Sequence, residues 1–219
     1  MRRFISCIFL CVCMFGYADL EKNLLILSCG GGGTVYMSKC LQVGGLDIGH
    51  EHIYADGAIG WPFVQGFCDH NGNPMPGAEF KHVFHQVRNP LSVITTWMKN
   101  KDMNAGYWQF IRRSVPEIRI TDTPIVQCAK YWYYWNKKAE SMSEWTYRVE
   151  AFKDLIDEFE LRLGVSLDRQ AILSIPKNTG AWGGKSYPVS WGLLKRSLPV
   201  QLYQDIQEMA QRYGYATVD

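Results

Sequence analysis

The chain has 219 residues, of which 47% are hydrophobic, 20% are charged and 14% are aromatic. This composition is typical of one compact globular domain, and it argues against an intrinsically disordered or low-complexity protein. A formal net charge of +2 is too small to indicate a nucleic acid or an anionic membrane surface as a partner.

The N-terminal residues have the three-part layout of a secretory signal peptide. Two arginines precede an apolar run over residues 4–15, and Gly16 and Ala18 stand where small residues mark a cleavage site. The run is short for a membrane span, which needs about 20 residues. We therefore expect a signal peptide at residues 1–18, a single domain at residues 19–219, and a location in the secretory pathway or outside the cell. An uncleaved anchor would instead keep the chain in contact with a membrane, and a misplaced start codon would leave it in the cytoplasm.

Four consecutive glycines separate the first predicted strand from the first predicted helix. Residues 23–28 form a short apolar run typical of a buried strand, and residues 34–43 have helical spacing. The residues predicted for the buried face of this helix are Val35, Met37, Leu41 and Val43. A strand, a glycine turn and a helix can present unpaired N–H groups and the positive end of a helix dipole to an anion. The glycines that predict a phosphate cradle are Gly30, Gly31, Gly32 and Gly33, although a flexible tight turn would have the same pattern.

Further strands and helices alternate along the chain. The sequence predicts a short strand near 46–48, a loop at 68–77, a strand over 80–87, and a helix that is capped by Asn89 and begins at Pro90. The remaining predicted elements are a helix over 125–141 opened by Asp122, Thr123 and Pro124, a strand over 145–152, a helix over 153–164 closed by Gly164, and a C-terminal helix from 198 that ends near Gly214. This alternation predicts an α/β fold with a central, mainly parallel sheet flanked by helices.

A second anion-binding pattern follows the strand over 80–87. Arg88 lies at the end of this strand, and Thr96 is eight residues further on, two turns into the next helix. A guanidinium makes bidentate, charge-assisted hydrogen bonds to phosphate, and a hydroxyl adds another donor. Ligands of parallel sheets bind beyond the carboxyl ends of the strands, where both the glycine loop and Arg88 are expected. Considered alone, Arg88 would more commonly be a surface or ion-paired arginine.

Seven cysteines are present, and three of them lie in the predicted signal peptide. The other four are Cys29, Cys40, Cys68 and Cys128. They show no CxxC spacing, so the sequence indicates neither a zinc site nor a fixed disulfide framework. An oxidising compartment would permit one pair among them.

The order and spacing of these segments resemble the sulfotransferase family that uses 3′-phosphoadenosine 5′-phosphosulfate (PAPS) as the donor. The segment GGTVYMSKCL is similar to the family's glycine loop and helix start, and VRNPLSVITT is similar to its segment for the 3′-phosphate. GLDIGHEHIYADGAIGW is similar to the stretch after the first helix in members whose base is a glutamate, and YRVEAF and the C-terminal helix also fit. The resemblance spans about residues 24–215 and implies a three-layer P-loop-type fold.

The resemblance implies a role for each candidate site residue. The backbone of residues 30–33 and the hydroxyl of Thr34 would hold the 5′-phosphosulfate, and Arg88 and Thr96 would hold the 3′-phosphate. Glu51 would be the general base that takes the proton of the acceptor hydroxyl.

Two histidines, His50 and His52, flank Glu51. Either could be the base instead, because an unperturbed imidazole already has a suitable pKa. A solvated loop without chemistry is the plain alternative. A zinc site would need a third ligand that the sequence does not supply, and we expect no metal.

Gly31 departs from the pattern of the family, which usually has a lysine or arginine three residues before the threonine. That cation neutralises charge on the bridging oxygen as the bond to sulfur breaks, and such electrostatic stabilisation is a large part of catalysis. Lys39 lies five residues beyond Thr34, too far along the helix to replace it. Lys177 and Lys185, in a late loop, are the candidate replacements, and Lys185 is the one we predict to bind the donor.

The expected function is transfer of a sulfuryl group from PAPS to a hydroxyl, with a carbohydrate as the expected acceptor. The tryptophans that could stack on sugar rings are Trp61, Trp97 and Trp182. The expected partners are thus a nucleotide donor and a small-molecule or glycan acceptor. The alternative, favoured by Gly31, is a catalytically silent relative that binds nucleotide or glycan without turnover. A P-loop kinase is disfavoured because GGGGTV lacks the Lys-Ser/Thr that such a loop uses for phosphates and Mg²⁺.

Overall fold

The computed structural model describes residues 21–66, 79–99, 105–177 and 188–218. The predicted signal peptide and the loop predicted at 68–77 lie outside the described residues. Cys68, Trp182 and Lys185 also lie outside the described residues.

Five strands in the described part of the chain form one sheet, and every paired strand is parallel to its neighbour. The strands are β1 (Lys22–Ser28), β2 (Ile48–His50), β3 (Gly57–Gly60), β4 (Phe80–Val87) and β5 (Trp145–Arg148). Their order across the sheet is β2-β3-β1-β4-β5. In the central strand, Ile26 lies opposite Ile59 of β3 and Phe84 of β4.

Helices cover both faces of this sheet. The α-helices of the described residues are α1 (Thr34–Val43), α2 (Pro90–Lys99), α3 (Ala105–Ser114), α4 (Pro124–Ser141), α5 (Ile156–Leu163), α6 (Arg169–Ser174), α7 (Trp191–Ser197) and α8 (Val200–Arg212). Short 3₁₀ helices lie at Pro62–Gln65 and Val149–Asp154.

The alternation of β1 divides the core into two halves. Leu25 and Leu27 contribute to a cluster with residues of α2, α3, α4, α7 and α8, whereas Leu24 and Ile26 contribute to a cluster with residues of α1, α5 and α6. Successive side chains of a strand point to opposite faces, so a strand that is apolar throughout must be covered on both. The result is three layers with the sheet in the middle, which confirms the predicted fold class.

Local sequence patterns placed several elements correctly. The strand over 80–87 and the helix over 34–43 have the predicted bounds. Asn89 caps α2, because its Oδ1 accepts a hydrogen bond from the N–H of Leu91 at 2.9 Å, and the helix begins at Pro90. Gly164 ends α5 in the left-handed conformation, with φ 64°.

Other predicted elements were wrong in part. The strand near 46–48 is at Ile48–His50, and β3 was not predicted because its Gly-rich sequence gives a weak strand pattern. The strand predicted over 145–152 ends at Arg148, where the chain turns into a 3₁₀ helix. The helices α3, α6 and α7 were not predicted.

The predicted buried face of α1 was also wrong in part. Met37 and Leu41 are buried, but Val35 is only half-buried and Val43, in the last turn, is 36% exposed. Tyr36 and Cys40 take their places in the core. The side facing the sheet is set by how the helix packs, and apolar residues were equally available on the other side.

No helix of the described residues is both long and apolar enough to cross a membrane.

His85 provides a test of this core. Its ring is fully buried, with Nδ1 3.2 Å from Thr146 Oγ1 and Nε2 3.1 Å from Asn136 Oδ1. Burial lowers the pKa of His85 from 6.5 to about 4, although the hydrogen bond with Asn136 opposes this shift. The unfolded chain keeps an ordinary histidine pKa, so between these two values the unfolded state binds a proton that the folded state does not. Stability must therefore fall as the pH falls through this window.

We expect His85 to lower the free energy of unfolding by ~3 kcal/mol between pH 7 and pH 4. Urea unfolding of the wild type and His85→Gln at pH 7, 5.5 and 4 measures this contribution, because glutamine keeps a hydrogen-bonding side chain that does not titrate. The variant should show a shallower pH dependence. The same pH dependence in both proteins would contradict the prediction.

Candidate anion-binding site

The candidate site lies at the carboxyl edge of the sheet. The glycine loop connects β1 to α1, and Arg88 follows β4, the parallel neighbour of β1. Carboxyl ends of neighbouring parallel strands meet at one edge, so the loop and Arg88 come together as expected. His50 is the last residue of β2, an outer strand of the sheet, and its side chain contacts Thr34, the first residue of α1.

The loop requires glycine for two different reasons. Gly31 and Gly33 have φ values of 76° and 90°, which residues other than glycine rarely adopt. A Cβ at Gly30 would lie 2.6 Å from Trp97 Cζ2, and one at Gly32 would lie 2.1 Å from Ser28 Oγ. The loop is therefore tightly packed, which favours a shaped cradle over a flexible turn.

Three consecutive loop carbonyls accept hydrogen bonds from three side chains. Gly30 O accepts from Trp97 Nε1 at 2.7 Å, Gly31 O accepts from Arg88 Nη1 at 3.0 Å, and Gly32 O accepts from Gln86 Nε2 at 2.8 Å. Carbonyl oxygens would repel an anion. The protein instead engages all three of them with its own donors.

The N–H groups of the loop point away from these carbonyls. In a trans peptide the N–H points away from the preceding C=O, and the described residues contain no cis bond. Gly30 N donates to Tyr131 Oη at 2.6 Å, and Gly32 N donates to Cys29 O at 2.9 Å. Within the described residues no acceptor is found for the N–H of Gly31, Gly33 or Thr34. At the N-terminus of α1, such N–H groups can bind an anion.

Tyr131 fixes the start of the loop. Its side chain is fully buried, and burial holds the pKa of its phenol well above the usual range. The phenol therefore stays neutral and can accept the hydrogen bond of Gly30 N–H at neutral pH. The Gly30 N–H is used inside the protein, so Gly30 shapes the loop rather than offering its amide to a ligand.

Sequence reasoning missed the side chains that hold the loop, namely Gln86, Trp97 as a hydrogen-bond donor, and Tyr131. Gln86 is fully buried; its Oε1 accepts from Tyr147 Oη at 2.9 Å, and its carbonyl accepts from Ser28 Oγ at 2.8 Å. A polar side chain next to the end of an apolar strand is the signal that could have identified it, because a buried amide needs partners.

Two of the tryptophans predicted to stack on sugar rings, Trp61 and Trp97, do not offer their faces to a ligand. Trp61 and Trp97 are 6% and 8% exposed, and both belong to the core. Trp61 packs edge-on against Trp97, Tyr107 and Phe110. The stacking prediction was wrong for these two residues, since most aromatic side chains serve as packing.

Arg88 is half-buried beside the loop, and Thr96 lies close to it. The Cγ2 atom of Thr96 is 3.3 Å from the position that a Cβ of Gly31 would occupy. Thr96 Oγ1 donates to Ser92 O, one turn earlier in α2, at 2.9 Å. Arg88 has five N–H donors, and the Gly31 carbonyl uses one of them. The two residues of the second predicted pattern thus adjoin the glycine loop.

Among the described residues, Arg88 is the cation whose side chain donates a hydrogen bond to the loop. Lys39 is exposed on α1, and Lys177 is exposed at the end of a described range. Lys185 lies outside the described residues. Gly31 has no charged side chain, but its carbonyl accepts a hydrogen bond from the guanidinium of Arg88.

Thr34, His50 and Glu51 form a cluster at the N-terminus of α1. His50 Nε2 lies 3.0 Å from Thr34 Oγ1 and 3.8 Å from Glu51 Oε1. Burial lowers the pKa of His50 and the charge of Glu51 opposes this shift, so the imidazole is neutral at pH 7. Glu51 has φ 57°, a left-handed conformation that is uncommon for a residue other than glycine. His52 is exposed.

The cysteines of the described residues are buried thiols. Cys29, Cys40 and Cys128 are free and buried, and burial raises the pKa of Cys29 and of Cys128 to about 12. Thiols with such pKa values are poor nucleophiles. In the described ranges no group of three or more His, Cys, Asp or Glu side chains is arranged to hold a metal ion.

The fold is that of a three-layer α/β protein, and the loop is a candidate anion-binding site at the strand ends. No family model matches the chain, and no curated protein matches it. Among solved structures, it is similar to the crystal structure of mouse sulfotransferase SULT7A1 complexed with PAP. The identity is 12%, the match covers 82% of this chain and 68% of that chain, and the TM-score is 0.41. A likeness this distant identifies no activity.

Proposed function

We propose that the chain binds PAPS at the glycine loop and transfers its sulfuryl group to a hydroxyl acceptor. The observation that carries this proposal is the division of the loop into two sides. Its carbonyls are engaged by Trp97, Arg88 and Gln86, while the N–H groups of Gly31, Gly33 and Thr34 have no acceptor within the described residues. Such an arrangement favours an anion without a change of loop conformation.

The proposed roles follow the positions of the side chains. The loop N–H groups and the hydroxyl of Thr34 would hold the 5′-phosphosulfate. Arg88 and Thr96 would hold the 3′-phosphate, since a guanidinium and a hydroxyl suit a phosphate monoester. The Thr96 hydroxyl would turn its one hydrogen from Ser92 O to the phosphate. Lys185 is proposed as a further donor-binding residue on its sequence position alone.

Transfer would proceed by attack of the acceptor oxygen on sulfur. The sulfur–oxygen bond to the phosphate breaks, its electron pair goes to the leaving nucleotide, and Glu51 takes the proton of the acceptor hydroxyl. The loop N–H groups would stabilise the charge that develops on the leaving oxygen. We propose a small molecule or glycan as the acceptor, without stacking on Trp61 or Trp97, because both lie in the core.

A silent relative that binds nucleotide without turnover is the second candidate. The observation that favours it is Gly31, which carries no cation, together with the exposed positions of Lys39 and Lys177. Among the described lysines, none has a hydrogen bond to the loop. Binding would then survive while transfer is lost.

Calorimetric titration and a transfer assay separate these functions. The wild type should bind adenosine 3′,5′-bisphosphate (PAP) more tightly than adenosine 5′-phosphate, and should transfer radiolabelled sulfate from PAPS to a mixed pool of hydroxyl acceptors. Glu51→Gln should keep the PAP affinity and lose transfer. Binding without transfer in every variant would favour the silent relative, and the absence of binding would contradict the proposal.

We also propose that residues 1–18 are a secretory signal followed by a single domain, on the sequence alone. Expression in a secreting host should yield a mature chain that begins at Asp19, after the small residues Gly16 and Ala18. Intact-mass measurement checks this prediction. A mass that still includes Met1 would contradict it.

A further inference from the structure

We propose that His50 is a positioning residue that turns the Thr34 hydroxyl toward the 5′-phosphosulfate, which leaves Glu51 as the base. This inference rests on the proposed function, because it assigns different roles to two neighbouring side chains of that site. It also chooses between the bases that the sequence left open.

The contact between His50 and Thr34 is direct. His50 ends β2, Thr34 begins α1, and His50 Nε2 lies 3.0 Å from Thr34 Oγ1. Thr34 is only 6% exposed, so its hydroxyl has few alternatives to this partner. The contact links the edge of the sheet to the first turn of the helix that would receive the anion.

The direction of this hydrogen bond decides what Thr34 can offer a ligand. A threonine hydroxyl has one hydrogen and two acceptor lone pairs, and a neutral imidazole carries hydrogen on only one nitrogen. If Thr34 donated to His50 Nε2, its single hydrogen would be used and only lone pairs would face the anion. If Nε2–H donates to Oγ1, the hydroxyl hydrogen is free for a phosphosulfate oxygen. Anion binding therefore selects the Nε2–H tautomer of His50.

Glu51 stabilises this tautomer. Its Oε1 lies 3.8 Å from the same Nε2, and a carboxylate favours hydrogen on the facing nitrogen. Neighbouring residues of a strand point to opposite faces, but the φ of 57° at Glu51 ends the strand and lets both side chains approach one another. The backbone at Glu51 is held by the hydrogen bond from its N–H to Ile59 O at 2.8 Å.

The same tautomer excludes His50 Nε2 as the base. A nitrogen that already carries hydrogen and donates it to Thr34 cannot accept the proton of the acceptor. Nδ1 keeps a lone pair, but it is the ring nitrogen that is not directed at Thr34. The carboxylate of Glu51 lies beside Nε2 and hence near the N-terminus of α1, where the reacting sulfur would be bound.

Two substitutions at His50 separate positioning from base catalysis. His50→Gln supplies an amide N–H donor that does not titrate, whereas His50→Ala supplies none. We expect His50→Ala to weaken PAP binding about 10-fold, the usual range for one lost hydrogen bond, and to lower transfer as well. His50→Gln should stay within about 3-fold of the wild type in both measurements.

Thr34→Val provides the matched background, because it removes the hydroxyl that His50 would orient. There, His50→Ala should cause no further loss of PAP affinity. If both His50 variants abolish transfer and leave PAP affinity unchanged, His50 is the base and the inference is overturned. If the wild type binds PAP but shows no transfer, the binding measurement alone tests the inference. An unchanged PAP affinity in His50→Ala then overturns the positioning role of His50. A wild type that binds no PAP would overturn the proposed function itself, so the two failures are distinguishable.

Discussion

Replacing Arg88 with alanine is expected to weaken PAP binding by about 2–4 kcal/mol, or about 30- to 1,000-fold. Binding of adenosine 5′-phosphate, which lacks the 3′-phosphate, should weaken much less. The reason is that a half-buried guanidinium would lose a charge-assisted, bidentate contact that only the 3′-phosphate makes. Calorimetry with both nucleotides gives the two affinities and hence their ratio.

Arg88→Lys is the control for charge without the planar fork. We expect it to recover part of the PAP affinity, because lysine cannot make the bidentate contact. Arg88 also donates to Gly31 O, so its loss will disturb the loop to some extent. Equal weakening of both nucleotides would show that Arg88 acts only through this carbonyl and does not bind the 3′-phosphate.

The second large effect is expected from Gly32→Ala, which should reduce PAP affinity by more than about 100-fold. A Cβ at this position would lie 2.1 Å from Ser28 Oγ and 2.7 Å from Cys29 O. Ser28 Oγ is held by its hydrogen bond to Gln86 O, and the Cys29 oxygen belongs to the backbone. The loop must therefore move, which removes the bond from Gln86 to Gly32 O. Overpacking of this kind also costs about 1–3 kcal/mol of stability.

Gly45→Ala is the matched control. Gly45 has φ 105° and no atom within 4 Å of a Cβ, and it follows the C-terminal end of α1, far along the helix from the loop. Strain there should cost about 1 kcal/mol of stability without changing the PAP affinity. Thermal unfolding and calorimetry on both variants separate lost stability from a lost cradle. Wild-type PAP affinity in Gly32→Ala would contradict the role of the loop.

The packing of the loop also limits any attempt to place a cation at Gly31. Its φ of 76° disfavours a side chain, and a Cβ would lie 3.3 Å from Thr96 Cγ2. Lysine at this position would strain the loop and crowd a residue proposed for the 3′-phosphate. The structure thus explains why a glycine occupies this position of the loop.

Local patterns were sufficient for much of the fold and for the juxtaposition of the glycine loop and Arg88. The apolar run over 23–28 and the strand over 80–87 have the periodicity of buried strands, and Asn89 with Pro90 marks a helix start by its own chemistry. Once these strands are parallel neighbours, the loop and Arg88 must meet at one edge. These inferences depend on residues close together in the chain, where side-chain spacing and backbone preference decide the conformation.

The contacts that shape the site depend on residues far apart in the chain. Trp97 hydrogen bonds to Gly30 across 67 residues of sequence, and Tyr131 does so across 101. Neither hydrogen bond can be predicted from a local sequence pattern. The same holds for His50 on Thr34 and for the burial of Trp61. Residue types alone allowed Trp61 to be a sugar platform, and they gave His50 no partner. Packing of the helices against the sheet buried Trp61 and placed His50 against Thr34, because it sets which groups are buried together and which polar atoms must satisfy one another.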